Sequence, residues 1–424
     1  MRSSCLAVLI LLGCSGASNP PPATIDAAGP ADAATPVEVA IDVSDDAGQD
    51  AGEDEPVTPP NPLKALAIPA IMPSWTVVVP ATVNGTEASF LLDTGAGPLA
   101  LTPELAKTLG KKTIATFAFA GHTFTDVTFI QHDLTLVSGL LGVTLSGNLG
   151  RQHLGDRVIA IDYKKATVYP LDAWTDDLDF GPHVAGGFAA VDLTPAKNHI
   201  LVVMARFEGL TEDTAVIVDT GTNSALISET LFDELPIEED GRKVLKGSTA
   251  VAGGIGAESD IVRVRTCTVG GQVAHRMWAS VGSDSYFKGV SFVIGVPVKA
   301  ILGGAFLREF VAAIDYPGSK LRLAAYTDLG HVQNEFRAVG VEVIRQSEAF
   351  QIFNVFAGTD AEAKGIVAGD TVTSLDGAPA AAMTTEEITA HLRGEPGTEL
   401  SMTLEGKSGP YTVNVTREDL LPDL

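Results

Sequence analysis

The chain has 424 residues, 45% apolar and 19% charged, which is ordinary globular composition and enough length for two or three domains with sizeable cores. A net charge of −25 excludes a nucleic-acid partner, because phosphates would be repelled. Three cysteines, Cys5, Cys14 and Cys267, exclude a disulfide framework and a cysteine metal site.

Arg2 and the short apolar run Cys5 to Leu12 read as a targeting segment, too short to span a bilayer. Leu11-Leu12-Gly13-Cys14 resembles a bacterial lipobox, which implies removal of residues 1–13, lipidation of Cys14 and an outer-membrane location. Residues 14–62 are rich in Pro, Ala, Asp and Glu and carry no Lys or Arg. Such a segment cannot bury enough apolar surface to offset its chain entropy, so it is expected to be a solvated, self-repelling tether.

Folded structure is expected from residue 63. Thr76 to Val83 reads as a strand, Asn84-Gly85 as a hairpin turn, and Ala88 to Leu92 as a strand running into Asp93-Thr94-Gly95-Ala96. Thr102-Pro103-Glu104 opens a short helix that Gly110 stops. Thr113 to Ile130 reads as a hairpin turning at Ala120-Gly121-His122. Further on, Ile200 to Phe207 and Ala215 to Val218 are strands, the second running into Asp219-Thr220-Gly221-Thr222, and Ser228 caps another short helix. In each Asp-Thr-Gly the Thr hydroxyl can bond to neighbouring backbone, and the Gly lets the turn close without a Cβ clash.

A second repeat accompanies the first. Residues 148–163 (NLGRQHLGDRVIAIDY) align without a gap on residues 301–316 (ILGGAFLREFVAAIDY) at a constant offset of 153, with eight of sixteen positions identical. The region from about Pro62 to Thr327 is therefore one unit written twice. The copies differ in length: 69 residues separate Asp93 from Asp162, and 96 separate Asp219 from Asp315. The extra length falls largely between Leu245 and Val264. Cys267 lies in the alternating stretch Val264 to Val269 and reads as a half-buried filler.

These residues resemble a bacterial retropepsin-like aspartic protease, in which Asp-Thr-Gly-Ala is followed by an apolar-Leu-Gly turn and an Asp-Tyr strand. Both halves lie on one chain, as in pepsin. The resemblance implies two β-barrel lobes, 63–184 and 185–327, with Asp93 and Asp219 as a catalytic dyad. It implies that Thr94 and Thr220 lock the two turns together and that Gly95 and Gly221 offer backbone donors near the carboxylates. Gly150 and Gly303 would sit in apolar turns beneath them. The glycine-rich Ala252-Gly253-Gly254-Ile255-Gly256-Ala257 would be the tip of a flap over substrate, carried by the second lobe only.

From 332 to 418 the pattern changes. Gly340 to Val343 and Ala349 to Val355 read as strands, followed by Gly369-Asp370, Asp376-Gly377, a helix from Thr385 to Leu392, and Pro396-Gly397-Thr398. This closely resembles a bacterial PDZ domain, which captures an extended peptide by adding it to a sheet edge. Val339-Gly340-Val341 is the best match to the peptide-carboxylate loop.

No His-Glu-x-x-His, Gly-x-Ser-x-Gly or phosphate-binding glycine loop occurs, so neither a metal nor a cofactor is expected. Ser285-Tyr286-Phe287-Lys288 fits Ser-x-x-Lys without its partner motifs. The expectation is a mainly β chain: a duplicated two-lobed protease domain and an α+β PDZ domain. It would be a monomer acting on polypeptides, touching the membrane only through its lipid. The alternative from another functional class is a non-proteolytic envelope adaptor that keeps the lobes as a peptide-binding scaffold.

Overall fold

The computed structural model describes residues 63–110, 112–252, 255–328 and 335–422. Cys14, expected to be lipidated, the expected tether, and Gly253 and Gly254 of the expected flap tip lie outside the described residues.

The first half is built on β1 (Val78–Val83) and β2 (Thr86–Leu92), a hairpin closed by Asn84 and Gly85. Both turn residues have positive φ, 50° and 80°, the backbone that Asn-Gly accepts most easily. Helix α1 (Thr135–Leu141) follows, and then β3 (Gly147–Leu149) runs parallel to the end of β2. Strand β4 (Val158–Asp162) is buried along its whole length.

The second half repeats the plan. Strands β5 (Val202–Phe207) and β6 (Thr214–Val218) pair antiparallel. A long hairpin comes next, β7 (Leu245–Ala252) and β8 (Ile255–Val269), which then pairs with β9 (Gln272–Gly282). The extra length in this half is this hairpin. Cys267 sits on β8 and is fully buried. Helix α2 (Asp284–Ile294) is capped by Ser283, and β10 (Ala300–Leu302) runs parallel to β6 as β3 does to β2. Strand β11 (Phe310–Asp315) matches β4.

Each half forms a seven-stranded sheet, and a six-stranded sheet joins them with β4 and β11 at its centre. Those two strands pair antiparallel with Ala160 opposite Ala313. The pair is related by the offset of 153, so an approximate two-fold axis passes between them. One apolar cluster, including Phe90, Leu149, Val218, Leu302 and Phe310, runs continuously through both halves.

The C-terminal module has its own apolar core, with Phe350, Ile366, Leu375, Ile388 and Leu404. Its sheet begins at the edge strand β12 (Val341–Gln346), followed by β13 (Ala349–Val355). Helix α3 (Thr385–Leu392) carries a full capping box, in which Thr384 and Glu387 satisfy each other's backbone amides.

The module is fastened to both halves. Ala357 donates its backbone N–H to the Lys246 carbonyl of β7 at 3.0 Å, and the Thr249 hydroxyl donates to Asn354 at 3.1 Å. On the other side, α1 packs so closely that a Cβ on Gly139 would come within 2.8 Å of the Arg345 carbonyl oxygen. Arg263 donates to the Leu421 carbonyl at 3.1 Å.

Arg308 is fully buried, donates twice to Glu335 at 2.7 and 2.8 Å, and lies over the Trp75 ring. Arg308→Met keeps the packing but strands the Glu335 carboxylate in a largely buried position. Chemical denaturation is expected to show a loss of about 3 kcal/mol, most of it recovered in Arg308→Met/Glu335→Leu. An unchanged midpoint in the single variant would remove this pair from the account of how the module is held.

Candidate active site

The site forms where the ends of β2 and β6 meet on the approximate axis. Asp93 follows β2 and Asp219 follows β6, and each backbone N–H donates to the strand that runs parallel beside it, Asp93 to the Leu149 carbonyl and Asp219 to the Leu302 carbonyl. The strand thus ends in a turn held from the side, and the carboxylate projects from a fixed backbone.

The two turns are tied reciprocally. Thr94 donates its hydroxyl to the Val218 carbonyl at 3.0 Å, and Thr220 donates its own to the Leu92 carbonyl at 2.6 Å. Each hydroxyl oxygen also accepts the other threonine's backbone N–H, at 3.2 and 3.1 Å. Both threonines are buried, so these four bonds form away from competing water.

The glycines make room for the acids. A Cβ on Gly95 would come within 2.6 Å of the Asp219 carboxylate, and one on Gly221 within 2.6 Å of the Asp93 carboxyl carbon. Gly221 and Gly95 both donate backbone N–H to the same Asp219 oxygen, at 2.8 and 3.2 Å. Gly150 and Gly303 fill the turns beneath. A Cβ at Gly150 would meet three carbonyl oxygens of residues 96–98, and one at Gly303 would meet the carbonyls of Thr222 and Ser224.

The Asp93 and Asp219 carboxyl groups each lie against the other half's glycine and open into the same cavity. Burial pushes the pair above the usual carboxylate range, and the Asp219 charge adds to the rise at Asp93. Backbone donors from Gly221 and Gly95 oppose the rise at Asp219. Two acids this close hold a proton at a pH where isolated carboxyls have lost it, and the pair titrates as a unit.

The acids lie on the floor of a cavity of about 390 Å³. Its walls come from α1 through Leu141, from β7 through Ser248 and Thr249, and from Tyr286 on α2. Trp75, His132 and Trp278 also line it, and the C-terminal module contributes Val341, Phe353, Phe356 and Leu392. Among the described residues no three His, Cys, Asp or Glu side chains cluster to hold a metal ion.

The residues singled out from sequence fall in two groups. Asp93, Thr94, Gly95, Asp219, Thr220 and Gly221 come together within one set of hydrogen bonds. Of the flap residues, Ala252 and Ile255 pair with each other at the described end of the β7–β8 hairpin, with Gly256 opposite Val251. In the module, Val341 lines the cavity, Val339 points into the module core, and Gly340 packs against Thr359. Sequence reading missed Tyr286, which stood in an unproductive Ser-x-x-Lys match. It also missed Asn148, whose side-chain amide donates to Asp93 at 2.8 Å.

Three comparisons bear on the site. A family model described as aspartyl protease matches residues 79–116 and 203–306, which include Asp93 and Asp219. A carboxy-terminal-processing protease of Bartonella bacilliformis is 26% identical over 88 residues, which is 20% of this chain and 20% of that protein. The chain thus spans one fifth of that relative's length. Among solved structures, an aspartic proteinase from Irpex lacteus aligns at 16% identity and a TM-score of 0.39, covering 63% of this chain and 98% of that one. A photosystem II D1 C-terminal processing protease aligns at 22% identity and a TM-score of 0.20, covering 20% of this chain and 24% of that one.

The raised carboxyls have a measurable cost. Their folded-state pKa values lie above the unfolded ones, so they destabilise the fold as pH rises from the unfolded value through the folded one. Asp93→Asn removes that penalty. The variant is expected to melt close to the parent at pH 4 and about 2 °C or more above it at pH 7. A difference in melting temperature that stays flat across this range would show that the pair is not strained by its own charge.

Proposed function

We propose that the chain is an aspartic endopeptidase of the retropepsin-like kind, with Asp93 and Asp219 as its catalytic dyad on a single chain. The observation that carries this reading is the meeting of the two acids, one from each Asp-Thr-Gly copy, each against the other's glycine and both lining one cavity. The aspartyl protease model matching around both motifs supports it.

The chemistry follows from one shared proton. The ionised carboxylate takes a proton from a water held between the acids, and that water attacks the scissile carbonyl. The protonated acid donates to the carbonyl oxygen and then assists departure of the amine. The threonine bonds keep the two turns in register, which is what a shared proton requires. Gly221 and Gly95 hold Asp219 in place with their N–H groups.

The C-terminal module has the role of a PDZ-like peptide-binding domain in this reading. Its edge strand β12 pairs with β13 on one side only, α1 packs against it at Arg345, and Val341, Val343 and Leu392 line the same cavity as the acids. A peptide held there is held beside the dyad. The β7–β8 hairpin borders the same cavity and has the role of the flap.

Asp93→Asn and Asp219→Asn in the full chain are each expected to abolish cleavage of denatured protein, with loss of pepstatin-sensitive activity. Mixing the two variants is expected to restore nothing. Recovery on mixing would mean that the dyad forms between chains.

We further propose that Cys14 is lipidated and tethers the protein to the cell envelope, on the strength of Leu11-Leu12-Gly13-Cys14 and the acidic stretch after it. Cys14→Ser is expected to move the protein from the membrane fraction to the soluble one. Continued co-sedimentation with membranes would remove the anchor from the account.

A further inference from the structure

Among the places where the two halves differ around the Asp pair, one puts a polar side chain against an acid. Strand β3 runs parallel to β2 with Asn148 opposite Leu91, and β10 runs parallel to β6 with Ile301 opposite Ile217. Asn148 and Ile301 therefore occupy the same place in the repeated unit. Ile301 has a hydrocarbon side chain and offers no donor at that place. Asn148 presents an amide whose Nδ2 lies 2.8 Å from Asp93 Oδ2. Asn148 is buried, with its Oδ1 making no hydrogen bond to the protein, so the bond to Asp93 is its one polar side-chain contact among the described residues.

A buried amide that could be an isoleucine, as its counterpart is, carries a desolvation cost unless its bond does something. The structure assigns Asn148 the role of a positioning residue, which orients the Asp93 carboxyl and favours its charged form. This rests on the proposed aspartic-protease reading. Asp219 already receives two backbone N–H donors on one oxygen. The Asn148 amide is a side-chain donor to one oxygen of the partner acid, Oδ2, and so fixes the rotation of the Asp93 carboxyl. Like any N–H donor to a carboxylate, it favours the ionised acid over the neutral one.

The sign of the effect follows. A donor to a carboxylate stabilises the charged form, so its removal makes the pair harder to ionise. Asn148→Ile copies the arrangement of the other half. It is expected to shift the acidic limb of the kcat/KM profile upward by about one pH unit. Asn148→Ser keeps a short donor and is expected to shift it less. The most informative variant is the exchange Asn148→Ile/Ile301→Asn, which moves the amide from one acid to the other. Because the acids titrate as a pair, the exchange is expected to return the limb most of the way.

The measurement is made on the full chain with a peptide substrate, beside carbon-13 NMR of the Asp side-chain carboxyls, with Asp93 and Asp219 resonances assigned from the Asp→Asn variants. The NMR titration does not depend on turnover. If the parent cleaves nothing but Asn148→Ile still raises the pair's titration, the protease reading fails and the role of Asn148 stands. If the parent is active and Asn148→Ile shifts neither the limb nor the carboxyl titration, the proposal is overturned, whatever happens to its melting temperature. A shift in Asn148→Ile that the exchange does not reduce would also overturn it, since the amide would then be acting through packing.

Discussion

The structure depends on two threonine hydroxyls that each reach across to the other half of the chain. Thr94 and Thr220 hold the ends of β2 and β6 with four buried hydrogen bonds, and no atom of substrate or solvent is needed to complete them. Every other feature of the site presupposes this tie. The glycines beside the threonines can approach the opposite carboxylates only because the turns are held at that distance, where a Cβ would overlap the acid. The raised carboxyls follow in turn, since two acids pressed together in a recess cannot both ionise freely. The larger contacts serve the same alignment. The pairing of β4 with β11 sets Ala160 opposite its own repeat, Ala313, and so fixes the axis about which the two turns meet.

A duplicated unit gives symmetric backbones, and the chemistry is made by breaking that symmetry locally. The first half contributes an amide at Asn148 where the second has Ile301. The second half contributes the long β7–β8 hairpin, and its helix α2, which carries Tyr286, is longer than α1 in the same place of the first half. These differences sit at the wall and floor of one cavity. The strand ends that carry the acids, 90–92 and 216–218, tolerate little change, because they are buried. The connections between them are where the halves have been free to differ.

Much of this was legible in the sequence because duplication leaves identical residues at fixed spacing. The Asp-Thr-Gly copies and the offset of 153 pointed to the acid pair before any coordinates, and the short helix at Pro103–Leu109 with its Thr102 cap was equally plain. Asn148 was not. Its contact depends on β3 lying parallel to β2, a pairing between residues more than fifty apart, and an Asn in a strand looks the same with or without a partner. Tyr286 was hidden for a similar reason: its position comes from the way α2 lies against the rest of the second half. The placement of the C-terminal module was invisible, because contacts such as Arg308 with Glu335 and Thr249 with Asn354 follow no periodic pattern. Local rules read elements, and only packing brings them together.

Leu420 lines the same cavity as Asp93 and Asp219, although it follows the second of them by about two hundred residues. Leu421, next to it, shares an apolar cluster with Leu245, Ile261 and Phe356. A stop codon that removed only the last few described residues would leave both acids, both threonines and the whole family-matched region intact. It would nevertheless open one wall of the cavity and loosen the strand β7 on which another wall depends. The boundary of the recognisable fold and the boundary of the smallest working piece are therefore different places on this chain, and cloning to the first would cut through the second.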